Sequence, residues 1–373
     1  VVIAGPPSLT GQIAVSSNDN KEVLQNGVRS VVRNAPPDTA TIIDLNVVPP
    51  RVVAELNVPG SWSSPPQSVA ITPDESIALV GNSTIIDPSD PSRTIVDDTL
   101  SVIDLTLPVP AVIARLSGGK KLSGVSINPS GTLAVAANRG DGTLSVFSIK
   151  GKVVSPLGKV DFGDPNCGAS LPIFTPDGKT LLVTRNNDNK VSIFSVNGTE
   201  VRYTKRDISA NLSPYGIVVT PKGDTAIVAN IGNGPTGGAD TLSILDLTPN
   251  RERLAETVSI GSVPEGIAIS PRGDYFAANV MNGSNLRPES PFFHDYGILK
   301  IFRINGKSLS PVTEARVGHW CEGVVWSRNQ RTILVQCMVE KSIFVFNFDG
   351  SSLKAAGRIP VNGGPAGIRT VVQ

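Results

Sequence analysis

Apolar residues recur along the chain in short period-two runs separated by Gly- and Pro-containing turns, and Ser213 to Asn230, SPYGIVVTPKGDTAIVAN, displays the unit most cleanly. It reads as a strand Gly216 to Thr220, a turn at Pro221-Lys222-Gly223-Asp224, and a second strand Thr225 to Ala229 closing on Asn230. Such a hairpin cannot bury both faces alone, so it must stack on similar units. Copies begin at Gln67, Gly124, Ser170, Glu265 and Glu322, and the turn prolines Pro73, Pro129, Pro176, Pro221 and Pro271 lie 45 to 56 residues apart. Each hairpin is followed by further strand patterns: Thr99 to Leu105 and Ala111 to Leu116, Thr143 to Ile149 and Lys159 to Phe162, Val191 to Val196 with a weaker strand near Thr204 to Ile208, Thr241 to Leu247 and Glu256 to Ile260, and Ser342 to Phe348 and Ala355 to Ile359. The unit beginning at Glu265 continues to Ile304.

The two ends of the chain complement each other. Gln12 to Ser16, Thr39 to Leu45 and Arg51 to Val58 are three strands lacking a first, while Pro365 to Val372 is a first strand with nothing after it. Joined, they complete a seventh unit and remove the open sheet edges that invite aggregation. The expected fold is all-β: one domain spanning 1–373, a seven-bladed β-propeller of four-stranded antiparallel blades closed by a split blade.

Composition agrees, with 36 Gly and 30 Pro marking many turns. The 33 basic and 32 acidic residues balance, so no global field favours nucleic acid. No apolar run reaches the roughly 18 to 20 residues of a membrane-spanning helix. The chain begins at Val1 without an initiator Met, which raises the expectation of a secreted or periplasmic protein after signal-peptide removal, with a cytoplasmic one not excluded. Four Asn-x-Ser/Thr sequons start at Asn82, Asn197, Asn211 and Asn282, a number an Asn- and Ser-rich chain also reaches by chance. A monomer is expected.

The strings Leu79-Val80-Gly81-Asn82, Val135-Ala136-Ala137-Asn138, Val183-Thr184-Arg185-Asn186 and Ile227-Val228-Ala229-Asn230 resemble the Tyr-Val-Thr-Asn ("YVTN") propeller repeat. Together with GTLAVAANRGDGTLSVFSI they make nearly the whole chain similar to the seven-bladed lactonase-like propellers, which include phosphogluconolactonases and carboxymuconate-lactonizing enzymes. The resemblance implies His, Arg and Glu side chains at the channel mouth. Here it implies His319 or Glu322 as the proton-transfer group and Arg139 or Arg185 as the carboxylate anchor. Where relatives often open a first strand with His, this chain has Asn166-Cys167-Gly168.

Turns between first and second strands are all short, whereas the long insertions Asn20 to Pro37, Ser83 to Asp97, Ile231 to Asp240 and Met281 to Tyr296 fall on the other face, read here as loops. Function is expected on that loop-rich face, around the channel. Residues entering it include Gln67, Lys121, Tyr215, Glu265 and Glu322. His319-Trp320-Cys321-Glu322 offers an imidazole and a carboxylate as an acid/base pair with Trp320 as an apolar wall; the alternative is a Trp packed between blades and a solvated His. Arg139 and Arg185, placed by the repeat at equivalent positions, could clamp a carboxylate or phosphate, or pair with Asp141, Asp188 and other loop acids. Glu265 and Glu322 sit at equivalent positions in consecutive units, either approaching each other or solvated apart. His294, within Pro291-Phe292-Phe293-His294-Asp295-Tyr296, belongs to a lid, a partner patch or a self-anchored loop.

Asp87, Asp90, Asp97 and Asp98 have cation-ligand chemistry without an EF-hand spacing, and the 2 His and 3 Cys make no zinc signature, so neither metal nor cofactor is expected. Cys321 and Cys337 fall in one hairpin, near enough for a disulfide without requiring one. Two readings follow: a binding propeller holding a small carboxylate or sugar-like ligand or a protein partner, and, alternatively, a metal-independent lactonase, lactonizing enzyme or lyase acting on a small carboxylated or sugar-derived substrate.

Overall fold

The computed structural model describes residues 12–234 and 236–371. Seven four-stranded antiparallel sheets, with no helix among the described residues, form the ring of a β-propeller. Blade 1 is the split blade: Gly364–Thr370 is innermost, followed outward by Ile13–Asp19, Thr39–Asp44 and Arg51–Asn57. Its closing pair runs Ala14 against Thr370 to Asp19 against Gly364. Blades 2 to 7 have first strands Val69–Ile71, Leu122–Ile127, Ala169–Phe174, Pro214–Val219, Pro264–Ile269 and Cys321–Trp326. Residues 1–11, 235 and 372–373 lie outside the described residues, and with them the end of the expected tail strand.

Alternation explains why the blades need each other. Inner and middle strands are buried on both faces, whereas an outer strand such as Arg51–Asn57 is mostly exposed or half-buried. Between blades 3 and 4, Leu133, Val135 and Phe162 meet Phe174, Phe194 and Val183 in one cluster. Trp326, fully buried between blades 6 and 7, also donates its Nε1–H to the Ala268 carbonyl, 3.3 Å away. Burying an aromatic of this kind contributes on the order of 2–3 kcal/mol, and the pattern repeats at every blade boundary.

The structure departs from the sequence reading in several elements. The insertions expected as loops at 20–37 and 83–97 contain hairpins, Glu22–Gln25 with Val28–Val31 and Thr84–Asp87 with Asp90–Val96. Blade 4's weak outer strand is a full Glu200–Ser209, offset by a bulge opposite Ile193 and Phe194, which breaks its alternation. Blade 6 gains an outer strand, Ser308–Val317, that its mixed polar composition concealed. Cys321 and Cys337 face each other in register and form a disulfide between the first two strands of blade 7.

Candidate functional site

Each inner strand of blades 3 to 7 carries one residue more than its partner near its upper end. In blade 6 the pairing passes from Pro264 with Val280 directly to Ile267 with Ala278, and blades 3, 4, 5 and 7 skip at the same place. A bulge of this kind bends the strand and re-aims a side chain. The residues so placed are Ser123, Ser170, Tyr215, Glu265 and Glu322. Consecutive bulges pack backbone against backbone: a methyl group on Gly266 would overlap the Glu322 carbonyl oxygen. Side chains of the second strands fasten the next blade's bulge, Thr184 Oγ1 donating to the Tyr215 carbonyl at 2.8 Å and Asn279 Nδ2 to that of Glu322 at 3.1 Å.

The chain enters each of these strands, and the innermost strand of blade 1, through a left-handed residue: Lys121, Gly168, Ser213, Val263, Trp320 and Gly363 all have positive φ. For Trp320, at φ +46°, such a conformation costs on the order of 1–3 kcal/mol. It is held by packing: Trp320 is buried edge-on to Trp62, ring centroids 5.3 Å apart, and its backbone N–H donates to Ser284 Oγ.

Tyr215, Glu265 and Glu322 are buried at the channel, and Arg139 reaches them from blade 3 with its guanidinium 5.4 Å from the Tyr215 ring centre. Burial pushes the Glu265 carboxyl up to about 7 against the opposing pull of Arg139. Burial, and then the charge of Glu265, pushes Glu322 well above the carboxylate range, while a hydrogen bond from Trp320 works the other way. Burial and the Glu265 charge likewise raise Tyr215, whose hydroxyl interacts with Arg139. Both carboxyls are therefore buried, with the charge of one acting on the other, instead of standing apart in solvent. Lys121 completes the positive side; burial first, then Arg139 and Arg29, lowers its pKa. Among the described residues its ammonium has no carboxylate partner within ion-pair distance. From the far side Gln67 crosses the channel, its Nε2 3.5 Å from the Ile267 carbonyl.

The first hairpin lies beside this cluster, with Arg29 and Glu22 within electrostatic reach of Lys121. At its base Lys21 is buried with its ammonium 2.6 Å from Asp38 and 3.3 Å from Asp19, and it also donates to the Gly60 carbonyl. Leu24 packs on the apolar cluster of Val263, Met281, Trp320, Met338 and Ala366, and Arg29 lies over the Trp62 ring at 4.1 Å while pairing with Glu22. Thr94 of the second hairpin donates to Glu22, joining the two.

Other expected site residues lie elsewhere. His319 is apart from Glu322 in its bonding: Nδ1 is 2.7 Å from Glu340 and Nε2 2.7 Å from Asp295. Burial lowers its pKa, but the hydrogen bonds to Glu340 and Asp295 outweigh this and leave it raised. Arg185 is not equivalent to Arg139. Register pairs Arg185 with Ala169 as it pairs Asn138 with Leu122, so Arg139 is one residue further on, and one residue in a strand is the opposite face. Arg185 accordingly turns outward to Asp188, Asp164 and Asp207. His294 is exposed and bonded to the Asn282 carbonyl of its own loop. Asp87 and Asp90 pair with Arg93, and no cluster of three His, Cys, Asp or Glu suited to a metal occurs among the described residues.

Residues 97–211 match the family described as "Lactonase, 7-bladed beta-propeller". No curated protein matches the sequence. Among solved structures, a candidate 6-phosphogluconolactonase of Bacteroides uniformis superposes with a TM-score of 0.73 at 14% identity, over 97% of this chain and 99% of that one. A protein of unknown function from Desulfotomaculum acetoxidans gives 0.72 at 16% identity, over 97% and 99%. The periplasmic gluconolactonase of Pseudomonas aeruginosa gives 0.69 at 13%, over 98% and 100%. The likeness to lactonase-type propellers expected from the repeat is thus found again in the fold, and at these identities it carries the fold alone.

Proposed function

We propose that the chain is a lactonase-type enzyme hydrolysing a small carboxylated or sugar-derived lactone at this channel site. What supports this reading is that Glu265 and Glu322, on the bulges of consecutive blades, are both buried at the channel with Tyr215, whose ring centre lies 5.4 Å from the Arg139 guanidinium. Two carboxyls whose pKa values are driven apart divide into a base and an acid. Glu265, with Arg139 favouring its charge, takes a proton from water as the water oxygen bonds to the lactone carbonyl carbon. Arg139 and the Tyr215 hydroxyl face the oxygen that becomes negative. Glu322, held neutral, protonates the ring oxygen as the acyl C–O bond breaks, and the proton on Glu265 then returns to Glu322. Lys121 holds the substrate carboxylate. The adjacent cations Lys121 and Arg139 repel a divalent metal, which favours a metal-independent reaction.

A binding propeller is the second reading, favoured by the ordered hairpin packed beside the site on Trp62 and Trp320, which would hold a retained ligand in place. The Cys321–Cys337 disulfide supports an extracytoplasmic location. The deciding experiment is hydrolysis of a panel of aldonolactones and carboxylated γ-lactones by wild type, Glu265→Gln, Glu322→Gln and His319→Ala. Loss of 10²-fold or more in kcat in both Gln variants is expected. Turnover untouched by both would remove the dyad from catalysis, and saturable binding without turnover of any lactone would favour the binding reading.

A further inference from the structure

On the opposite face, the short turns bring a ring of prolines, Pro73, Pro129, Pro176, Pro221 and Pro271, around the lower channel mouth. With Ile127, Phe174 and Val219 they line an apolar cavity of about 280 Å³, at the small end of the range of about 300–1,000 Å³ usual for small-molecule sites. Ile71, Ile127 and Val371 belong both to this funnel and to a smaller recess of about 20 Å³ above it, which Arg369 and Ser126 also line.

Arg369 is the anomaly. It is 6% exposed, on the innermost strand of blade 1, and among the described residues it has neither an ion pair nor a hydrogen-bond partner for its guanidinium. Every other strongly buried Lys or Arg is paired: Lys21 lies between Asp19 and Asp38, and Arg185 among three aspartates. A cation removed from water without a counter-charge is costly, and burial alone, with no opposing acid, pulls the Arg369 pKa down to about 10. Beside it the buried Ser126 hydroxyl also lacks a partner. A guanidinium and a free hydroxyl at the head of an apolar funnel form a donor set for an anion whose remainder is hydrocarbon.

We propose that the lower channel mouth is a second ligand site, independent of the carboxyl chamber, that takes a small apolar monocarboxylate. The carboxylate lies against Arg369 and Ser126, and the hydrocarbon part rests on Ile127, Phe174, Val219 and the proline ring. Pro in the turns suits this role, since it presents a rigid apolar surface without an N–H to be satisfied.

The test is titration calorimetry of octanoate, octanol and chloride into the full chain, with melting temperature read in parallel. Octanoate is expected to bind one per chain and raise the melting temperature, with octanol and chloride at least tenfold weaker. Arg369→Met is expected to fold with an unchanged or higher melting temperature, since it removes an uncompensated charge, and to lose octanoate binding at least tenfold. Ser126→Val and Val219→Phe, which leave Arg369 in place, should each weaken octanoate as well, so the idea stays testable if the Arg369 variant does not fold. Octanoate affinity unchanged in Arg369→Met or in the other two variants, octanol or chloride equal to octanoate, or no octanoate binding to wild type would each overturn it.

Discussion

Replacing Glu265 with Gln removes a buried charge while keeping the shape of the side chain, and the consequence for stability has a definite sign. The Glu265 pKa rises from 4.5 to about 7 on folding, because burial penalises the carboxylate more than Arg139 favours it. Between those values the folded protein holds a proton that the unfolded chain has released. The stabilisation is therefore complete below about 4.5 and is lost as the pH rises towards 7. At ~1.4 kcal/mol for each pH unit, the loss amounts to about 3 kcal/mol. Glu322, whose rise depends partly on the Glu265 charge, adds to it in the same direction. An entropy of unfolding of roughly 2 cal/mol/K per residue makes 3 kcal/mol worth about 4 °C for a chain of this length. Wild type and Glu265→Gln should therefore melt close together at pH 4.5, with the variant gaining about 4 °C or more over wild type by pH 8, as followed by calorimetry or circular dichroism. Parallel melting curves across that range, or a wild type that gains on the variant as pH rises, would refute the reasoning.

Arg139→Met should push the Glu265 titration higher still, seen as an upward displacement of the acidic limb in the pH profile of any lactonase activity, together with reduced kcat. Gly266→Ala forces a methyl into the Glu322 carbonyl and should cost on the order of 2–4 kcal/mol in denaturant unfolding, with disturbance of the dyad visible in the same melting curves. Lys21→Met strands Asp19 and Asp38 and should cost about 3–5 kcal/mol, with faster amide exchange in residues 22–31 if this pair anchors the first hairpin. Reducing the disulfide, which closes a span of 16 residues, should lower stability by up to about 3 kcal/mol, less if the hairpin persists in the unfolded state, as read from chemical denaturation with and without reductant.

The hairpins, their turns and the split blade were legible in the chain because alternation and turn chemistry are local: SPYGIVVTPKGDTAIVAN carries its own strands and its own bend. The position of Glu265 and Glu322 in the repeat was legible too, but their shared burial was not, because it depends on bulges that re-aim both side chains. The same holds for the first hairpin. Residues 20–31 read as a polar loop, since their order comes from contacts no local pattern announces: Lys21 between two aspartates, Leu24 against Trp320, Arg29 over Trp62. Arg139 and Arg185 make the distinction sharpest. The sequence shows two arginines at the ends of consecutive repeats, but only register separates them, by one residue and hence by one face of a strand. One consequently reaches the channel while the other is buried among three aspartates on the opposite face. Sequence by itself determined the scaffold, because burial at period two admits few arrangements; tertiary structure decided which polar groups share a dry space, because that depends on where seven separate strand ends converge.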